Sequence, residues 1–165
     1  MLRLSTKGQY GVRAMYEIAK ASGIGPVTIR KISEEQNVSV AYLEQILNKL
    51  RKSGIIRSVK GPGGGYVLAK DPHTISIGEI LKELEGPVAI TSCLDPAEGC
   101  VRVDSCVTHL LWKSLGDNIE RFLDGMKLQD GVLCIRYQLK PEDGGGLLAE
   151  STLQLPPAGA ESAAK

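Results

Sequence analysis

The sequence lacks any long apolar segment. No run approaches the roughly 20 apolar residues that a membrane-spanning helix needs. Residues 1–15, MLRLSTKGQYGVRAM, show neither the hydrophobic segment nor the small-residue cleavage site of a secretory signal. We therefore expect a cytoplasmic protein that does not associate with a membrane. At 165 residues the chain is long enough for one domain with its own core, or for a small domain plus an appended element.

Cysteine and histidine are also scarce, with 4 and 2 residues. Four cysteines do not make a disulfide scaffold in a reducing cytosol, and no paired nucleophile and base is present, so we expect no enzymatic activity. Thiolate and imidazole suit iron-sulfur clusters and zinc rather than magnesium or calcium. Four such side chains fall in one short stretch, which predicts a metal or cluster site, with redox thiols as the alternative: Cys93, Cys100, Cys106 and His109.

The net charge of +1 conceals a strong asymmetry. Residues 1–72 hold 12 Lys and Arg against 5 Asp and Glu, or +7, whereas residues 73–165 hold 8 against 14, or −6. A basic segment of this size favours a polyanionic partner for the first part of the chain. A solvated surface with chance asymmetry is the alternative, so charge alone does not decide.

The basic part has the element order of a winged helix-turn-helix. Apolar residues recur at three- and four-residue steps over residues 6–21, 28–36 and 39–53, which predicts three amphipathic helices, the third capped by Ser39. Residues 55–70, IIRSVKGPGGGYVLAK, contain two strand-like runs around a glycine-rich tip and predict a β-hairpin. Two helices with a tight link, followed by a basic hairpin, form a DNA-binding arrangement.

A long helix is predicted after a further short helix over residues 76–85. It begins near Asp104, and its apolar residues recur over about five turns, which is more than a small domain needs for its own core. We interpret it as a dimerisation helix, with an ordinary core helix as the alternative. The repeating apolar residues are Val107, Leu110, Leu111, Leu115, Ile119, Phe122 and Leu123.

The chain is thus predicted to have four parts. They are a winged helix-turn-helix domain over residues 1–86, a cysteine-rich loop over 87–105, the dimerisation helix over 104–125 and a C-terminal segment over 126–165. Within the last part, the run VLCIRYQL at 132–139 is either a strand or a docked segment, and Cys134 is expected to be a core thiol. The Gly-, Pro- and Ala-rich chain from about residue 141 is expected to be flexible.

Three stretches of the chain resemble the IscR-type family of bacterial winged-helix transcriptional regulators. They are LSTKGQYGVRAM, SVAYLEQILNKLRKSGIIRSVKGPGGGYVLAK and the Cys/His segment, and the resemblance covers residues 1 to about 125. It implies a mainly α fold with a small β-hairpin wing, and a homodimer of winged helix-turn-helix domains crossed by the long helix. It also implies a transcriptional repressor that binds double-stranded DNA at palindromic promoter sites.

The resemblance makes the helix from Ser39 to Ser53 the recognition helix. A glutamine can pair with adenine, and the carboxylate of Glu44 can accept from a cytosine amino group; in the family the matching glutamate helps to discriminate between classes of site. The wing would enter the minor groove, with a lysine where the family often has arginine. The candidate contacts are Ser39, Ala41, Tyr42, Glu44 and Gln45 on the helix, Lys60 and Gly61 on the wing, and Ser5, Lys7, Gln9, Arg51 and Lys52 for phosphates. For each, a solvated surface residue is the alternative.

For the sensor, the resemblance implies a [2Fe-2S] cluster held by Cys93, Cys100 and Cys106, with His109 matching the fourth ligand. The spacing of Cys106 and His109 places them on one face of the first turn of the long helix, whose positive N-terminus lowers a thiolate pKa. The first gap, Cys-x6-Cys, is one residue longer than the family's. The expected mechanism is allosteric, with cluster gain or loss reordering residues 91–106 near the recognition helix.

A second kind of regulator with the same fold remains open. In it the cysteines hold no cluster, and a disulfide or a protein partner is the input, as in the cysteine-metabolism repressors.

Overall fold

A computed structural model of the protein describes residues 4–95 and 105–131. In these ranges the chain is mainly helical with one antiparallel hairpin, so the predicted fold class is confirmed. The elements are α1 (Thr6–Lys20), α2 (Ile29–Gln36), α3 (Val40–Lys52), β1 (Ile56–Val59), β2 (Gly65–Leu68), α4 (Ile77–Glu85) and α5 (Val107–Gly125), with a 3₁₀ turn at Ser92–Leu94. In neither range is a helix both long and apolar enough to span a bilayer.

Serine and threonine caps define where four of the helices begin. The side chains of Ser5, Thr28, Ser39 and Ser76 accept from backbone amides at the starts of α1, α2, α3 and α4. Asn37 ends α2 in the left-handed region, at φ 51°. The cap that the sequence predicted for the third helix, Ser39, is therefore confirmed.

The core lies where α1, α3 and α4 meet. Its most enclosed side chains lie on the apolar faces of the predicted helices. Val40, which helical spacing also places on the apolar face of α3, is only half-buried. The chain after α5 closes the core, because Leu128 is fully buried and its amide donates to Ile75 O at 2.9 Å. The fully buried set includes Met15, Ile32, Leu43, Leu47, Leu50, Ile80 and Leu84.

A single extended residue outside the two strands, Val27, joins the wing to the helix-turn-helix, and the sequence did not reveal it. Strands β1 and β2 pair from Ile56 with Leu68 to Val59 with Gly65. Val27, in the link between α1 and α2, exchanges both backbone hydrogen bonds with Tyr66, at 3.0 and 2.9 Å. A Cβ on Gly65 would overlap the carbonyl oxygen of Val27. The absence of a side chain at residue 65 therefore allows this close approach.

Helix α5 begins at Val107, with Cys106 as its N-cap, and not near Asp104 as the sequence predicted. Cys106 thus precedes the first turn that it was expected to occupy, whereas His109 lies within that turn. The C-terminal part of α5 packs against α4. The residues that follow the helix are held to the start of α4, because Ile77 N donates to Met126 O at 2.9 Å. In addition, the backbones of Ser76 and Lys127 form an isolated antiparallel β-bridge.

Several sequence predictions lie outside the described residues. They concern Cys100, Cys134, the run 132–139 and the segment from about residue 141. The division into four parts likewise stays a prediction.

Candidate nucleic-acid interface and metal centre

Helix α3 presents one polar face to solvent. Leu43, Ile46, Leu47 and Leu50 point into the core, so the opposite side of the helix is exposed. On that side lie Ala41, Glu44, Gln45, Arg51 and Lys52, all predicted contacts. The spacing of residues 41, 44 and 45 places them on adjacent turns of one face. This arrangement suits insertion into a major groove.

Tyr42 differs from the other predicted residues of α3 because it is half-buried. Its ring meets that of Tyr10 edge to face, with centroids 6.2 Å apart. The guanidinium of Arg13 lies 5.3 Å from the centre of the Tyr10 ring and donates to Gln36 Oε1 at 2.6 Å. Arg13 thereby joins α1 to α2 beside the start of α3. The one indication of this cluster in the sequence is weak: Tyr10 and Arg13 lie three residues apart on α1.

The wing tip exposes Lys60 and Gly61, two of the candidate DNA contacts. Gly61 has φ 107° and Gly63 has φ 75°, backbone conformations that side chains disfavour. The tip therefore keeps a charged residue next to bare backbone, which lets a polyanion approach closely. Arg57 on β1 is a further exposed basic residue that the sequence analysis did not single out.

At the start of α1 the predicted phosphate contacts make internal bonds. Ser5 Oγ accepts from Gly8 N at 3.1 Å and donates to Glu85 Oε1 at 2.6 Å. Gln9 Nε2 donates to Leu4 O at 2.9 Å. A serine hydroxyl has one hydrogen to donate, so a phosphate contact through Ser5 would have to replace the bond to Glu85. Lys7 is half-buried.

We call the stretch from Cys93 to His109 the sensor segment, and the structure describes three of its four predicted ligands. Cys93 lies in the 3₁₀ turn and Cys106 caps α5; both are partly buried thiols. Cys93 Sγ lies 3.1 Å from Thr91 Oγ1, and Cys106 Sγ lies 3.0 Å from Thr108 Oγ1. Hydrogen bonds to ligand sulfurs tune metal and cluster sites. Each of these two thiols therefore has a hydroxyl placed to do so.

His109 is the third ligand candidate, and it is 8% exposed. Its Nδ1 is buried without a hydrogen-bond partner, the one such side-chain atom in the described ranges. Buried polar atoms in folded proteins are nearly always paired, so this nitrogen is suited to a metal. The donor types and this orphaned atom fit an iron-sulfur or metal site. Within residues 4–95 and 105–131, no three His, Cys, Asp or Glu side chains already form a metal-binding group.

The link between α4 and Cys93 is fastened to α5. Val88 N donates to Glu120 Oε1 at 3.2 Å, and the carbonyl of Val88 passes 3.6 Å from where a Cβ of Gly116 would lie. The chain between α4 and Cys93 is therefore in direct contact with the long helix. Sequence patterns gave no signal for this contact.

The N-terminal part of α5 exposes an apolar face in the single chain. Val107, Leu110 and Leu111 are 82%, 66% and 58% exposed, and Leu115 and Phe122 continue the stripe. Lys113 and Asp117 form an ion pair of 2.8 Å outside the stripe. The hydrogen bond to Asp117, and then its charge, raise the pKa of Lys113 above the ordinary value. Exposed apolar side chains grouped on one helix face are typical of interaction surfaces.

Comparisons with known proteins agree with this architecture. The family described as "Rrf2: Iron-dependent Transcriptional regulator" matches residues 4–132. The HTH-type transcriptional regulator IscR of Escherichia coli O1:K1 is 44% identical over 131 residues, which are 79% of this chain and 80% of that protein. Transcriptional regulation, rather than enzymatic activity, is what these relatives share, in agreement with the sequence prediction.

Two solved structures are also similar. The IscR of T. potens superposes with a TM-score of 0.68 at 36% identity, covering 88% of this chain and 94% of that one. CymR, the global cysteine regulator of B. subtilis, gives a TM-score of 0.65 at 36% identity, covering 81% and 98%. With this fold and these relatives, the chain belongs to the Rrf2 family of transcriptional regulators.

Proposed function

We propose that the protein is a homodimeric repressor whose binding to palindromic promoter DNA depends on an iron-sulfur cluster held by Cys93, Cys100, Cys106 and His109. The unpaired, buried Nδ1 of His109 is the observation that carries the cluster claim. Because an imidazole nitrogen without a partner is costly to bury, a bound metal explains it better than a structural role does. Such a regulator acts in the cytoplasm, where the DNA is.

In this proposal the exposed face of α3 reads bases. Gln45 suits adenine and Glu44 suits the amino group of cytosine, whereas Ala41 and Tyr42 make the apolar contacts. Arg51 and Lys52 contact phosphates. Lys60, beside Gly61 at the wing tip, enters the minor groove, where its charge neutralises the phosphates along the groove. Ser39 holds the helix start in place by capping it. Lys7 and Gln9 would contact phosphates at the start of α1, and Ser5 would do so by exchanging its bond to Glu85 for one to a phosphate.

Dimerisation follows from the exposed stripe of α5. A second copy of the same stripe would cover Val107, Leu110 and Leu111 on both chains through a two-fold axis. A groove of about 760 Å³ between α4 and α5, lined in part by Ile119 and Phe122, extends the apolar surface. Two recognition helices in a two-fold dimer match half-sites about one turn of DNA apart, which is why we expect palindromic sites.

At the sensor, three thiolates and one imidazole would hold a [2Fe-2S] cluster, which supplies reversible one-electron chemistry and sensitivity to iron, oxygen and nitric oxide. The protein's own part is to hold the ligands. Cys106 lies at the positive end of α5, which favours its thiolate, and Thr91 and Thr108 provide hydroxyls next to two of the sulfurs.

A cluster-free regulator responding to a thiol reaction or a protein partner is the second candidate. It is favoured by the likeness to CymR, whose TM-score of 0.65 is close to the 0.68 of the T. potens IscR. The same cysteines would then act as redox thiols.

Anaerobic purification followed by iron and sulfide analysis separates the two candidates. The cluster proposal expects a coloured protein with about two iron and two sulfide per chain, the stoichiometry of a [2Fe-2S] centre with one set of ligands. A colourless protein with trace iron, whose DNA binding nevertheless changes on thiol oxidation, would support the second candidate.

A further inference from the structure

The last turn of α4 is bonded to both helices that lie at the candidate DNA interface. We call residues 84–86 the junction turn. Lys49 of α3 donates from Nζ to Leu84 O at 3.0 Å. Ser5, the N-cap of α1, donates to Glu85 Oε1 at 2.6 Å. One turn thus holds the recognition helix and the start of α1 at the same time.

Both bonds set a charge against a complementary helix end. The carbonyl of Leu84 is among the last four of α4, which lack helical partners, so the ammonium of Lys49 satisfies a group at the negative end of the helix. The carboxylate of Glu85 lies at the positive end of α1, directly over Gly8, where any Cβ would overlap it. Both contacts therefore stabilise the junction turn in one position.

The chain leaves this turn directly toward the sensor. Gly86 ends α4 with φ 98° and is followed by Val88, which is tied to Glu120 of α5. Cys93 comes five residues after Val88. Because residues 87–92 are few and are held to α5, a displacement of the sensor segment would be transmitted to the junction turn.

We infer that Lys49 and Glu85 are positioning residues that couple the sensor segment to the DNA-reading helices. Hydrogen bonds weaken steeply when their geometry is disturbed, so displacement of the junction turn changes the placement of α3 and of the start of α1 together. Neither side chain needs to touch DNA or a metal. This inference rests on the proposed function, and it deepens that proposal by naming the route of regulation.

The test compares two variants with charge-matched controls from α4. Lys49→Met and Glu85→Ala remove the two contacts; Lys82→Met and Glu83→Ala remove equal charges from exposed positions of α4 without breaking either bond. Lys49→Arg keeps the charge and the donors. The probe is a duplex selected from a random library on the wild-type protein, and its Kd is measured for anaerobically reconstituted and for cluster-free protein.

The measured quantity is the ratio of the two Kd values, since a merely structural role would change both alike. The Lys49→Met and Glu85→Ala variants should move the ratio toward one by about threefold or more, a size typical of residues that modulate coupling. Lys82→Met, Glu83→Ala and Lys49→Arg should keep the wild-type ratio. Unchanged ratios in Lys49→Met and Glu85→Ala would overturn the inference.

A second readout does not need the cluster. Because coupling between two sites is reciprocal in free energy, binding of the duplex to cluster-free wild-type protein should shift the conformation around Cys93. The rate at which iodoacetamide alkylates Cys93, followed by mass spectrometry, reports that shift. Lys49→Met and Glu85→Ala should reduce that change. A wild-type Kd ratio of one would contradict the cluster-dependent function, and the alkylation rates would then test the coupling through the junction turn by themselves. Equal changes of the alkylation rate in wild type and in the two variants would refute that coupling.

Discussion

Replacing Leu110 with alanine should dissociate the proposed dimer without unfolding the chain. Leu110 is 66% exposed in the single chain, so dimer formation would remove about two-thirds of its side chain from water. Full burial of a leucine side chain is worth about 1.5–3 kcal/mol. Two-thirds of that is about 1–2 kcal/mol per chain, and two-fold symmetry doubles it to about 2–4 kcal/mol per dimer. At 1.4 kcal/mol per tenfold change, the dimer Kd should rise at least about 30-fold.

Sedimentation equilibrium over a range of concentrations measures this Kd. The matched control is Lys113→Ala, which shortens an exposed side chain of the same helix outside the apolar stripe and costs one surface ion pair. The control should stay dimeric at concentrations where Leu110→Ala is monomeric, and both should keep the helical circular dichroism of the wild type. Equal dimer Kd values for Leu110→Ala and wild type would refute the assignment of the α5 stripe as the interface.

Three further predictions concern the wing, the DNA face and the sensor. Gly65→Ala should lower the free energy of unfolding, measured by thermal unfolding, by about 1–3 kcal/mol because the new Cβ overlaps the Val27 carbonyl. The control Gly116→Ala, which makes ordinary contacts in a helix, should be neutral or stabilising by up to about 1 kcal/mol. A larger loss of stability in Gly116→Ala than in Gly65→Ala would contradict the packing described. Lys60→Ala should weaken binding to all duplexes alike and reduce the slope of log K against log salt by about 1. Glu44→Ala should instead change the base preference at one position of the duplex by about 1–3 kcal/mol. A change in base preference with Lys60→Ala would argue against neutralisation of phosphates by this residue. His109→Ala should lose iron and visible absorbance while keeping its helical content, with exposed His73→Ala as the control; full iron retention by His109→Ala would exclude it as a ligand.

Much of the fold could be predicted because it depends on local patterns. The stripes of α1, α3 and α4 repeat at helical spacing, so their buried faces follow from sequence order. Ser39 and Asn37 act within a few residues of themselves, as caps and stops do. The predicted start of α5, near Asp104, was wrong, since Cys106 and the residues before it have no strong helical periodicity and the helix begins at Val107.

The contacts that fasten the elements to one another could not be predicted. Glu85 meets Ser5 across 80 positions of sequence, and Lys49 meets Leu84 across 35, so no periodicity links the partners. Val27 pairs with Tyr66 as an isolated residue without a strand pattern around it. The sequence did group the candidate ligands, because Cys106 and His109 are neighbours along the chain; it could not show that the His109 ring is buried with an orphaned nitrogen.

The most direct test of the central claim is the DNA affinity of anaerobically purified protein before and after removal of its iron, measured alongside the iron and sulfide content. The account predicts a coloured protein whose Kd for a selected duplex changes when iron is removed and returns on reconstitution. The Cys100→Ala variant should stay in the iron-free state throughout. An iron-containing wild type that binds the same duplex with the same Kd before and after iron removal would contradict the claim.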